Sequence, residues 1–310
     1  MTASEVRPWP ALRPGDLVRV LSPASWPEAP IDGLLQTISS LGFEVDLGDH
    51  VRDRHGYMAG TDRARAEDLD DAIADPRVRA IVASRGGAGA YRLPPLVDWA
   101  ALAADPKPIV GFSDITYLHL AAARHGVGGI HGALVGERAI ASATELLCGR
   151  GLDISADHSL LSAGATTTGR AEGRLIGGNL FAVASTVGTG LPSLDGAVLF
   201  LEDLRKHGLG VVDRQLTQLL HSGALDELAA VVLGSFEGFV GYEDRGWDLL
   251  DVLRDRLHTL GVPVLGGVPA GHDLHAADGS PDQVCLPIGG WAEVDADGGM
   301  LRVRPPVHVS

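Results

Sequence analysis

Short apolar runs alternate with segments of helical period through the first half of the chain, and this alternation constrains the fold more than any other feature. DLVRVLSP (16–23) reads as a strand ending in a polar turn, PIDGLLQTISSLG (30–42) as a helix stopped by glycine, and FEVDLG as the next strand. DRARAEDLDDAIAD (62–75) is a charged amphipathic helix, and VRAIVAS (78–84) is a β-branched run of the kind buried inside a parallel sheet. PIVGF (108–112) runs straight into SDITYLHLAAARHG (113–126), a further helix, and GGIHGALVG (128–136) is another strand and turn. This β-α-β-α order predicts a parallel sheet with helices on both faces, its site lying beyond the carboxyl ends of the strands.

The pattern changes at LDISADHSLLSAGATTTGRAEG (152–173), which is rich in Ser, Thr, Ala and Gly and has no helical period. Beyond it, strand signals dominate: GRLIGG, GAVLFLED, ELAAVVLGSF, VPVLGGVP, QVCLPIGG and LRVRPP. Helices are expected at NLFAVASTVGT, GVVDRQLTQLLHSG and DLLDVLRDRLHTLG. We therefore expect an α/β chain with a parallel-sheet domain over 1–155, a linker over 156–171 and a smaller, β-rich α/β domain over 172–310. Its 310 residues suffice for two such domains.

A formal net charge of -15 repels phosphate backbones and anionic membrane surfaces, so neither nucleic acid nor membrane is an expected partner. No apolar stretch reaches the roughly 18–20 residues of a membrane span, and MTASEVRPWPALRPGD lacks the basic-then-apolar pattern of a signal peptide. A cytoplasmic protein is expected. Two isolated cysteines, Cys148 and Cys285, give neither a disulfide framework nor a metal pair.

Polar residues end three of the apolar strands. Ser113 stands where a strand passes directly into a helix, which exposes its hydroxyl beside the free N–H groups of the helix start. That is the logic of a nucleophile elbow, although GFSDI carries only the first glycine of GxSxG. From this segment alone an N-cap serine is the commoner explanation. Glu202 and Asp203 end GAVLFLED; alternation puts Val198, Phe200 and Glu202 on one face and Asp203 on the other, so only one of the two acids points into a given site. Either orients a histidine or starts a helix and pairs with Arg205. His272 follows a glycine in VPVLGGVPAGHDLH, within reach of a base role or simply on a surface loop. His275 completes HxxH, but two ligands without a third make a poor metal site.

SRGGAGAYR (84–92) adds a glycine turn after a strand, where Gly86 and Gly87 can offer N–H groups to an oxyanion. It is not a dinucleotide loop: Arg92 stands where the third glycine belongs, and no Walker lysine follows. No cofactor or metal is expected. The order Ser113, Glu202, His272 is the chain order of an α/β-hydrolase triad.

ASRGG (83–87), VGFSDIT (110–116), HGA (131–133), GRLIGGNL (173–180), LFLEDL (199–204), RQLTQLLHSG (214–223), LGSF (233–236) and GVPAGH (267–272) together resemble the LD-carboxypeptidase family, serine peptidases that include microcin-immunity hydrolases. The resemblance implies a flavodoxin-like N-terminal domain joined to the β-rich one, with the site at their interface, and a homodimer. It puts the catalytic nucleophile on Ser113, the glutamate on Glu202, the histidine on His272 and the oxyanion N–H groups on Gly86, Gly87 and Asp114. The substrate it implies is a small peptide, the murein tetrapeptide, cut before its terminal D-alanine in cell-wall recycling. The alternatives are a peptidyl-nucleotide of the microcin C kind and, in another class, a non-catalytic binding protein on the same frame. Arg85, Asn179 and His131 are candidate substrate-binding residues, with Arg174 a second cation for a substrate carboxylate. Ala88 and Ala133 stand where the family often carries an aromatic and a proline.

Overall fold

The computed structural model describes residues 6–308 other than 273, 276–278 and 280. The first half runs β1 (Trp9–Pro10), β2 (Leu17–Leu21), α1 (Asp32–Ser40), β3 (Glu44–Leu47), α2 (Asp62–Ala74), β4 (Val78–Ala83), α3 (Trp99–Ala104), β5 (Ile109–Gly111), α4 (Thr116–Arg124), β6 (Gly129–His131) and α5 (Glu137–Leu147). Strands β2 to β6 are parallel and lie in the order β6-β5-β4-β2-β3, the flavodoxin-like arrangement. Pleat alternation sorts their side chains. Val18, Val20, Ala80 and Val82 pack with Ile38 and the α5 face of Ala139, Ala143 and Leu146. Leu21, Ile81 and Ile109 pack against α2, α3 and α4 on the opposite face.

The second half runs β7 (Leu152–Ser155), β8 (Arg170–Asn179), α6 (Leu180–Ser185), β9 (Val198–Leu204), α7 (Leu209–His221), β10 (Ala230–Glu237), α8 (Leu249–Leu257), β11 (Val264–Leu265), β12 (Leu286–Ile288), β13 (Trp291–Asp295), β14 (Met300–Arg304) and β15 (Val307–His308). A seven-stranded mixed sheet has the order β11-β10-β9-β8-β13-β14-β7. It is parallel from β8 to β11 and antiparallel from β8 through β13 and β14 to β7.

The chain crosses between the sheets at two points, so sheet membership does not follow the expected domain limits there. Leu152–Ser155, expected in the first domain, is an edge strand of the second sheet, paired with β14 at Leu301 and Ile154. Strand β12, expected in the second domain, closes the first sheet antiparallel to β6, with Leu286 opposite His131. A four-residue edge strand that buries only Ile154 carries too short a pattern to stand out in a polar stretch.

Helix α4 explains where the site falls. Every residue from Thr116 to Ala123 is buried. Leu118, Ala121 and Ala122 join the core of the first sheet, while Leu120 and Ala123 join the core under α6, α7 and β9 of the second. A helix apolar all round must be covered all round, so its N-terminus opens between the two sheets. Among the described residues no helix is long and apolar enough to cross a membrane, and both cysteines are free.

Candidate active site

Ser113 follows β5 and Phe112 and opens the short 3₁₀ turn that leads into α4. Its φ is +61°, one of two positive values among the described non-glycine residues. A serine in the left-handed region is strained by roughly 1–3 kcal/mol, and such strain is retained where the surrounding structure over-determines it. Gly86 supplies part of that constraint. A Cβ there would lie 2.9 Å from Phe112 O, 3.0 Å from Ser113 Cβ and 3.5 Å from Asp114 N. The glycine turn is pinned from the other side: Ser25 N donates to Gly86 O at 3.2 Å, and Ala88 N donates to Ser25 Oγ at 3.1 Å. The N–H groups of Gly87 and Asp114 donate to no backbone carbonyl among the described residues. Gly86→Ala should displace Ser113 and lower kcat about 10²-fold, since small misplacements of a reacting group have effects of that size; kcat measured beside the melting temperature checks that the loss is local.

Glu202 and His272 form the second part. Glu202 lies fully buried near the carboxyl end of β9, and His272 Nδ1 lies 2.6 Å from its Oε2. Burial opposes the glutamate's charge, but the His272 imidazole beside it prevails and holds the carboxyl below its ordinary range. Burial likewise lowers the His272 pKa, and the Glu202 charge outweighs it, so the imidazole ends above its ordinary value. Ser235 Oγ donates to His272 O at 2.6 Å. Gly271, at φ +120°, lets the loop lie against the strand: a Cβ there would meet Ser235 Oγ at 2.6 Å and Glu202 Oε2 at 2.9 Å. The Phe112 ring, next in the chain to Ser113, packs on the His272 imidazole with centroids 4.9 Å apart. Ser113 Oγ makes no hydrogen bond to another described residue. Serine–base bonds commonly tighten only around substrate.

Ser113, Asp114, Gly87 and Asn179 border one cleft of about 250 Å³, together with Asp203 and Lys206. Asp114 is pushed up to about 6 by burial, with the Ala90 N–H, Arg65 and Lys206 pulling the other way. Asp203 is likewise pushed up to about 6 by burial and by Glu202. The two neighbouring acids of β9 thus both border the site from opposite faces. Glu202 turns with Phe200 toward His272 and Asp203 turns into the cleft, where Asn179 Nδ2 donates to its Oδ1 at 3.2 Å. Asn179 also caps α6.

The other expected residues fall elsewhere. Arg85 and Gly86 border a separate hollow beside Phe112 and Ala133, and Arg85 is paired with Glu28 at 2.5 Å. Arg174 is half-buried on β8 opposite Trp291 and outside the cleft. His131 has no exposed surface and does not line this cleft. His275 is exposed, and the described residues contain no group of three or more ligands placed for a metal. Sequence reasoning missed Lys206 and the aromatic rim of Tyr91, Tyr117 and Phe181, where the cleft opens into a wider groove of about 790 Å³. Lys206 could have been found from its place four residues after Glu202, just past a strand's carboxyl end.

A hydroxyl on a strained strand-to-helix turn, beside unpaired N–H groups and a histidine gripped by a buried carboxylate, has the parts of a serine hydrolase. Comparison with known proteins agrees with that class. The model of the LD-carboxypeptidase N-terminal domain matches residues 18–132, and that of the C-terminal domain matches residues 172–294. A putative carboxypeptidase of Streptomyces coelicolor is 39% identical over 312 residues, covering 96% of each chain. The murein tetrapeptide carboxypeptidase of Pseudomonas aeruginosa is 34% identical over 275 residues, 82% of this chain and 87% of that one. The crystal structure of muramoyltetrapeptide carboxypeptidase from Oxalobacter formigenes superposes with a TM-score of 0.79 at 28% identity, covering 94% of this chain and all of the other. The chain belongs to the LD-carboxypeptidase family, and it is a peptidase.

Proposed function

We propose that this peptidase is a serine carboxypeptidase that removes the terminal D-alanine of murein tetrapeptide. Ser113 is the nucleophile, His272 the general base and Glu202 the residue that orients it. The single observation that carries the reading is the 2.6 Å bond from His272 to buried Glu202, alongside a serine held at φ +61°.

In this mechanism His272 takes the Ser113 proton as Oγ attacks the carbonyl of the diamino acid's L-centre. The tetrahedral oxyanion forms against the N–H groups of Gly87 and Asp114, in the turn held by Gly86; one such donor is worth roughly 2.7–4 kcal/mol of barrier. His272 then protonates the departing D-alanine amine, and water resolves the acyl-enzyme by the same steps in reverse. Lys206 among Asp114 and Asp203 offers both signs of charge to a substrate that carries ammonium and carboxylate groups.

The base must be neutral to accept the proton, so kcat/KM rises with pH through the His272 pKa. Because Glu202 raises that pKa, the acid limb should have its midpoint above the ordinary histidine value of about 6.5. A pH profile with its midpoint below that value would contradict the assignment.

The peptidyl-nucleotide reading has one observation in its favour: the aromatic rim of Tyr91, Tyr117 and Phe181 could stack a base. Parallel assays on murein tetrapeptide and on an aminoacyl nucleotide amide separate the two, and the tetrapeptide should be the better substrate. Labelling of Ser113 by a fluorophosphonate is expected, and a resistant serine in folded protein would favour the binding-protein alternative. A cytoplasmic location and a homodimer belong to the same proposal; sedimentation tests the dimer.

A further inference from the structure

Behind the Glu202–His272 pair lies a second imidazole that the proposed chemistry does not use. His131 ends β6, opposite Gly111 of β5 and Leu286 of β12, without exposed surface. Phe112 and Phe200 stand edge-on to its ring at centroid distances of 6.0 and 5.2 Å, and a Cβ on Gly178 would lie 3.1 Å from its Nδ1. Its Nε2 faces Glu202 Oε1 at 3.9 Å. Neither ring nitrogen has a hydrogen-bond partner among the described residues, and neither has Glu202 Oε1, although the Asn179 amide also lies close to the carboxylate. A buried donor or carboxylate oxygen left unpaired carries a penalty of roughly 1–3 kcal/mol, more when charged. Two such groups facing each other in one dry space each meet the other's need.

The tautomer follows from the surroundings. Burial holds His131 neutral, with a pKa of about 4 that Glu202 raises and His272 lowers. A neutral imidazole has one N–H to place. The ionisable groups around it are Glu202 from β9, His272 from the loop after β11 and His119 from α4, with Asp203 turned away into the cleft. His119, held at about 3 by burial and by His131, directs its Nε2 to the Ile109 carbonyl at 3.1 Å and so does not compete for Glu202. The one anionic acceptor facing His131 is Glu202 Oε1, on the Nε2 side.

We propose that His131 is a positioning residue: its Nε2–H donates to Glu202 Oε1, locking the carboxylate so that Oε2 stays on His272. The proposal rests on the Ser113–His272–Glu202 reading. An approach of about 1 Å brings the pair to an ordinary N–H···O distance, a tightening of the kind that accompanies substrate binding.

The test compares kcat and the acid limb of kcat/KM for wild type, His131→Phe, His131→Gln and Glu202→Gln. His131→Phe removes the donor and should lower kcat about 10- to 100-fold, the loss expected for a hydrogen bond to a charged group. Its acid limb should move up, because a carboxylate without its second donor holds the His272 proton more tightly. His131→Gln offers an N–H at similar reach and should recover most of kcat with the wild-type acid limb. Equal losses in both His131 variants with an unmoved acid limb would mean a merely structural role and overturn the proposal, as would wild-type kcat in His131→Phe. If Glu202→Gln is inactive while His131→Phe keeps the wild-type kcat and acid limb, the His131 assignment alone fails; if Glu202→Gln is fully active, the triad reading fails with it. Should His131→Phe not fold, ¹⁵N-histidine spectra of the wild-type chain decide: His131 should be Nε2-protonated and neutral from about pH 5 to 8. An Nδ1-protonated ring, or one titrating near the ordinary histidine value, would overturn the assignment.

Discussion

Glu202→Gln is expected to lower kcat about 10⁴-fold while leaving the protein folded. Oε2 accepts from His272 Nδ1 at 2.6 Å, which fixes the tautomer with Nε2 bare, the form the proposed general base requires. A glutamine in the same rotamer can present its NH₂ to Nδ1 instead. The proton then moves to Nε2, the tautomer that cannot accept one from Ser113. Loss of this order is what the equivalent change brings about in serine hydrolases generally. The variant should also lose the elevation of the His272 pKa, since the Glu202 charge is what offsets burial there. Residual activity should therefore extend to lower pH than in the wild type. Stability should fall at neutral pH without unfolding the protein, because the fold holds the Glu202 carboxyl below its ordinary range and the neutral amide gives up that interaction. A drop of less than tenfold, with the protein folded, would remove Glu202 from the mechanism.

Ser113→Gly should abolish turnover, by about 10⁶-fold, and at the same time stabilise the protein. The serine is held at φ +61°, where a side chain is strained and glycine is not. Relief of roughly 1 kcal/mol, at the low end for such positions, would raise the melting temperature by about 2–4 °C in a domain of 150–250 residues. Ser113→Ala keeps the Cβ and the strain, so it should be as inactive as the glycine variant without its gain in stability. That contrast separates loss of the hydroxyl from loss of the turn. Equal melting temperatures in the two variants would mean that the turn carries no strain at this residue.

Much of this architecture was legible in the sequence because its signals are local. The central strands β2, β4 and β5 are short runs rich in Val, Ile and Leu, and Ser113 was visible because apolar strand passes into helix with no intervening loop. What was not legible depends on distant partners. Helix α5 buries Ala139, Ser142, Ala143, Leu146 and Leu147, a helical period, but three of the five are alanine or serine with little hydrophobic contrast. Strand β13 alternates Ala292 and Val294 inward over only five residues. His131 reads as an accessible polar residue at a strand end, yet β12 arrives from some 150 positions along the chain to cover it. Arg85 has a position suited to meeting a carboxylate, but the fold pairs it with Glu28, and Lys206 borders the cleft instead. Alternation along β9 correctly separated Glu202 from Asp203, but it could not show that both faces of that strand border the site.

The central claim is that Ser113 cleaves an amide to release D-alanine, and it is tested most directly by following D-alanine release from purified murein tetrapeptide by wild type and Ser113→Ala in parallel. The account predicts steady release by the wild type and none above background in the variant. Release by Ser113→Ala at the wild-type rate would contradict it.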